Sequence, residues 1–198
     1  MSVCHFLLKK KQSKTHCFRI ESNLYREQPV PHPYTHYFGH YPENIQAQVD
    51  MLIINNKLLS FFKNKYPVGH TLKNDKLLFE FTNELKQRYL KNAPKLQQVQ
   101  YKKQKDLVRN ALGTHTFKRQ QHGGKLKAKH EIAIAEQLRL APEPLLKALV
   151  VHELAHFKEK EHNKSFYNLC CHMEPEYHQL ELELRLFLVL QQEQLSFY

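Results

Sequence analysis

Cysteine is scarce in this chain and never forms a Cys-x-x-Cys pair; the four are Cys4, Cys17, Cys170 and Cys171. Adjacent cysteines rarely close a disulfide, because the ring is strained. The thiols are therefore read as free, and the compartment as reducing and cytoplasmic. Long apolar runs are missing too. No apolar stretch reaches 18 residues, so no membrane-spanning helix is expected. The opening "MSVCHFLLKKKQSK" puts a short apolar stretch before its lysines, too short and in the wrong order for a secretory signal. Glycine numbers five, with none after Gly124. Acidic residues are few in the first part of the chain. Residues 1–130 hold 24 Lys+Arg against 8 Asp+Glu, while residues 131–198 hold 6 against 11. The net charge of +11 favours an anionic partner or substrate, and its uneven spread suits one basic wall. Plain solubility is the competing explanation.

What is present fits one domain with an extension. Of the 198 residues, 41% are hydrophobic, enough for an ordinary core. Residues 1–36 are read as an irregular extension and 37–198 as the domain. His16, His32, His36 and His40 have no metal-ligand spacing. Pro42 opens a helix over "ENIQAQVDMLIINNKLLSFFKNK", with Ile45, Val49, Leu52 and Ile53 at helical spacing. Asp75 is placed as the cap of a second helix, over "DKLLFEFTNELKQRYLKN". Alternating residues from 97 to 135 predict two or three antiparallel strands, turning at Gly123-Gly124. Pro142 and Pro144 start the next helix, and Asn163 caps a short one. Leucines 180 to 190 alternate strictly, as in a strand. Leucine is a good helix former, however, and Glu181–Arg185 make an i,i+4 pair, so "YHQLELELRLFLVLQQ" is read as helix.

The centre of interest is "HELAHFKEKEH", residues 152 to 162. In a helix, residues four apart point almost the same way about 6 Å further along. His152 and His156 can therefore grip one ion, which suits zinc. Glu153, rotated by about 100°, lies beside that ion as a general base for an activated water. Left unpaired in the apolar context "ALVVHELAHF", these groups would cost several kcal/mol. A core histidine pair with hydrogen-bonded partners is the plainer alternative. In an unbroken helix His162 would point about 120° away from His156. The helix must then end between Phe157 and Glu161 for His162 to be the third ligand, with Glu159 and Glu161 as rivals. His-Glu-x-x-His-x-x-x-x-x-His is the metzincin spacing, but Glu159 stands where those proteins have glycine, so the turn must be made differently.

The run "GGKLKAKHEIAIAEQLRLAPEPLLKALVVHELAHFKEKEHNKSFYNLCCHMEPEYHQLE", with "ALGTHT" upstream and "CCHMEP" within it, resembles the bacterial YgjP-like metallohydrolase family. More distantly it resembles the SprT and WLM zincin-like domains. The likeness runs from about Tyr37 to about Gln192 and is densest from Ala111 to Glu181. It implies a compact zincin-like α+β fold: a small antiparallel sheet beside the His-Glu-x-x-His helix, with further N- and C-terminal helices. It implies metal ligands at His152, His156 and His162 with Glu153 as catalytic base, and a metal-dependent hydrolase.

Three functions are weighed. The first is a zinc metallopeptidase whose strand block offers an edge for an extended peptide. The alternative is a metal-dependent nucleotide pyrophosphatase or phosphohydrolase. In it Lys125, Lys127 and Lys129, alternating on one strand face, meet the phosphates. The third is a basic nucleic-acid-associated domain with a structural metal, which leaves Glu153 without a role. Zinc is the expected ion and manganese the substitute. Tyr167, His172, Tyr177 and His178 are the candidate oxyanion donors.

Overall fold

The structure, a computed structural model, describes residues 34–103, 113–122 and 125–193. Of Thr35 and of the strand stretches 113–122 and 125–129 it describes the backbone alone. The described residues form an α+β domain of seven α-helices and one three-stranded sheet. In chain order these are α1 (Thr35–Phe38), α2 (Glu43–Ile54), α3 (Leu58–Lys65), α4 (Asp75–Tyr89), β1 (Leu96–Lys102), β2 (Gly113–His122) and β3 (Lys125–Ala135). A 3-10 turn (Glu136–Leu140), α5 (Glu143–Ala155), α6 (Lys164–Met173) and α7 (Tyr177–Gln192) follow.

The single helix expected after Pro42 is two. Asn56 adopts φ 52°, the left-handed region an L-residue rarely enters. The chain turns there between α2 and α3. The cap of α4 is Asn74, not Asp75: its side chain accepts the Leu77 N–H at 2.9 Å. Asp75 is instead the first helical residue and accepts the Tyr101 N–H, which ties α4 to β1.

The sheet is mixed, where an antiparallel one was expected. Its order is β1-β3-β2. β2 and β3 form an antiparallel pair from Gly113↔Ile134 to His122↔Lys125, whereas β1 runs parallel to β3. Alternation identifies a strand and its buried face, but it carries no record of which neighbour the strand takes.

The core is built on α5 and α7. Nine of the 13 residues of α5 and ten of the 16 of α7 are buried. With most of its circumference buried, α7 keeps only a narrow polar stripe, which is why its leucines could alternate without making a strand. Its one buried carboxylate, Glu183, is held by Lys65, Tyr66 and Gln179. Among the described residues, no helix is long and apolar enough to cross a membrane.

His70 fastens the segment before α4 to the turn before α5. Its Nε2–H donates to the Leu138 carbonyl at 3.0 Å, and its Nδ1 accepts the Leu72 N–H at 3.0 Å. Both nitrogens of a neutral ring are thus engaged, and burial holds its pKa below the usual histidine value. A depressed folded-state pKa adds stability above the unfolded-state value of about 6.5 and loses it as pH falls below that. Thermal melts of wild type and His70→Gln are expected to converge on acidification. A gap that widens at low pH would show the sign to be wrong.

Candidate metal centre

His152 and His156 stand on the last turn of α5 and at its C-cap. Regular helix stops at Ala155, earlier than the Phe157–Glu161 window, but turning continues: Phe157, Lys158 and Glu159 donate back to Leu154, Ala155 and Ala155. No left-handed residue is used; His156 itself has φ −64° and ψ −11°. That is how the chain turns without glycine. Asn163 then caps α6, accepting the Phe166 N–H at 3.0 Å, and so fixes the direction in which His162 approaches.

The result is three imidazoles meeting nitrogen to nitrogen. One ring nitrogen from each of His152, His156 and His162 lies within 4.8 Å of the other two. Nε2 of His162 is 3.1 Å from Nε2 of His152. Two neutral lone pairs tolerate that approach only with a proton or a cation between them. Glu159 and Glu161, the rival ligands, are not in the cluster. Glu159 acts through its backbone: its carbonyl is 3.0 Å from His156 Nδ1. A carbonyl only accepts, so Nδ1 carries the proton and Nε2 the lone pair. On His152 the contact is Tyr177, whose hydroxyl lies 2.7 Å from Nδ1. With Nδ1–H donating there, Nε2 of His152 is again the free lone pair.

Electrostatics push the same way. Burial, aided by the neighbouring His156 and His162 and by Arg185, pushes His152 down to about 3. Burial also lowers His156, against the pull of the Glu159 carbonyl. Neutral imidazoles are what a divalent ion of the zinc type binds, so the donor set fits such an ion. Glu153 is 1% exposed on α5, one residue after His152.

Phe166 was not anticipated. Fully buried on α6, its ring centroid lies 4.9, 4.8 and 4.7 Å from those of His152, His156 and His162. The signal available was its place three residues after the Asn163 cap. Of the four oxyanion candidates, Tyr177 is engaged by His152. His172 packs against Tyr89 at 5.6 Å. Tyr167 meets His162 ring to ring at 6.5 Å and His178 at 5.5 Å. Lys125, Lys127 and Lys129 lie on β3 opposite His122, Gln120 and Lys118; their side chains lie outside the described part of the structure.

A model of the YgjP-like, metallopeptidase domain family matches residues 59–186. This chain belongs to the YgjP-like family. The Escherichia coli (strain K12) protein named UTP pyrophosphatase is 51% identical over 152 residues, covering 77% of this chain and 91% of that one. No solved structure matches the chain. Membership makes it a metal-dependent hydrolase, and the YgjP-like match spans α3 through most of α7, the whole histidine cluster included.

Tyr177 also touches Cys170, whose thiol is pushed up to about 12 by burial while the Tyr177 hydroxyl bonds to it and pulls the other way. A ligand histidine whose second nitrogen loses its partner typically costs 10–100-fold in metal affinity. Tyr177→Phe is expected to weaken metal binding by about that factor with the fold intact, read by competition with a chelating dye. Unchanged affinity would make the contact incidental.

Proposed function

We propose that this YgjP-like chain hydrolyses the phosphoanhydride of nucleoside triphosphates, releasing pyrophosphate, with His152, His156 and His162 holding a divalent cation and Glu153 as general base. The observation that carries the hydrolytic part is the convergence of three imidazoles at the end of the helix that also carries the buried Glu153. The nucleotide part is supported by the activity named for the E. coli relative, which replaces the peptidase as the leading reading.

The chain's own contribution is positional. The Tyr177 hydroxyl and the Glu159 carbonyl orient two of the imidazoles; Phe166 backs all three. A divalent cation, zinc or manganese, supplies Lewis acidity that makes water a nucleophile near neutral pH and offsets phosphate charge. Glu153 accepts the proton of the attacking water as its oxygen bonds to phosphorus. The phosphoanhydride P–O bond breaks, and the proton passes to the departing phosphate oxygen. Lys125, Lys127 and Lys129 are proposed to face the polyphosphate.

The deciding experiment sets the metal-loaded protein against a panel of nucleoside triphosphates and an unstructured protein substrate side by side. Pyrophosphate release without peptide cleavage is the expected result. Peptide cleavage with no nucleotide turnover would restore the metallopeptidase reading that the family description carries.

A further inference from the structure

We infer that Tyr167 and His178 form a ledge on which the nucleobase of the substrate stacks, one ring outward from the histidine cluster. The inference rests on the nucleoside triphosphate reading above and adds how the nucleoside end is held.

Three observations lead to it. First, the rings make a continuous path. The Tyr167 centroid is 6.5 Å from that of His162 and 5.5 Å from that of His178, with interplanar angles of 34° in both pairs. Second, the path leads to solvent. His162 and His178 are exposed and Tyr167 is half-buried, so aromatic surface is accessible next to the cluster. Elsewhere around the cluster, Phe166 and Tyr177 are buried. Third, the surface beyond is neutralised. His178, Glu181 and Arg185 are spaced three and four apart, so they share a face of α7. The Glu181 carboxylate there is taken by Arg185, 2.7 Å from its Nε, and by the Tyr41 hydroxyl. A nucleotide lying along this face meets a satisfied ion pair, not a bare carboxylate.

Charge explains why a ring ledge is useful here. Residues 131–198 carry more acidic than basic side chains, so this part of the chain attracts a triphosphate poorly. Stacking needs no charge: every base has a π-face, and aromatic side chains hold it whatever its sequence identity. The phosphates then lie toward His162 and the base toward His178, which orders the substrate along one direction.

The test compares two substrates that share the polyphosphate and differ in whether a nucleoside is attached. Kinetics are measured with UTP and with inorganic tripolyphosphate, the latter as substrate or as competitive inhibitor, for wild type, Tyr167→Ala/His178→Ala, His178→Ala and Tyr167→Phe. The double variant is expected to raise KM for UTP about ten-fold, the scale of one lost base–aromatic stack. Its kcat should stay within about two-fold, and tripolyphosphate should be unaffected. Tyr167→Phe, which keeps the ring, should keep the wild-type KM for UTP. His178→Ala changes an exposed residue, so it carries the same test if the double variant fails to fold. An unchanged KM for UTP, or an equal loss with tripolyphosphate, overturns the ledge while leaving the hydrolase reading in place. No UTP turnover by the wild type overturns the reading itself, and the ledge with it.

Discussion

Glu153→Gln keeps its metal and loses turnover, by at least about 10²-fold and up to about 10⁴-fold, the usual range for a displaced general base. The substitution is nearly isosteric at a position 1% exposed, so the fold and the histidines should survive it. An amide cannot accept the proton that water releases when it attacks. His156→Ala behaves differently. It removes one of three converging nitrogens, so metal content and activity fall together. Metal analysis and pyrophosphate release, measured on the same preparations, separate the two roles. Wild-type turnover from Glu153→Gln would take that residue out of the chemistry.

The second large effect falls on Phe166. Cutting it to alanine leaves a hole behind three imidazoles, and buried Phe→Ala changes typically cost about 3–5 kcal/mol. The loss should be greater when the protein is melted with metal than without. Rings that have lost their common backing bind the ion less well, and the stability a bound ligand adds rises and falls with the logarithm of its affinity. Phe166→Leu should recover most of the apo stability but less of the metal-dependent part. Equal losses with and without metal would reduce Phe166 to a filler of space.

Much of this was legible in the residues. The spacing His-Glu-x-x-His made a same-face pair because an α-helix repeats every 3.6 residues. The position of His162 then required a chain reversal, and the reversal is there. The Asn163 cap and the helicity of residues 177–192 could be read from local chemistry. The unread features depend on the third dimension. Asn74 and Asp75 are both good caps, and the choice follows from Asp75 being drawn to the Tyr101 N–H on β1. The parallel pairing of β1 with β3 depends on which strand lies central, which no local period records. Tyr177 looked like an oxyanion donor because it lies downstream of the ligands. Its actual contact, with His152 Nδ1, required knowing that α7 packs along α5. Phe166 carried only the generic mark of a core residue.

Helix α7 has a consequence for how the molecule can be handled. It is a rod of about 22 Å at 1.5 Å per residue, with Tyr177 against His152 at one end. At the other end Gln192 donates to the Tyr37 hydroxyl, and the Tyr34 hydroxyl donates to Glu193. The first and last described residues are therefore neighbours, a full helix length from the histidines. A short peptide joining them in place of residues 1–33 and 194–198, with new ends opened elsewhere, should give a circularly permuted protein that still binds its ion. A fluorophore placed at that junction would report on fraying of this seam without touching the metal site.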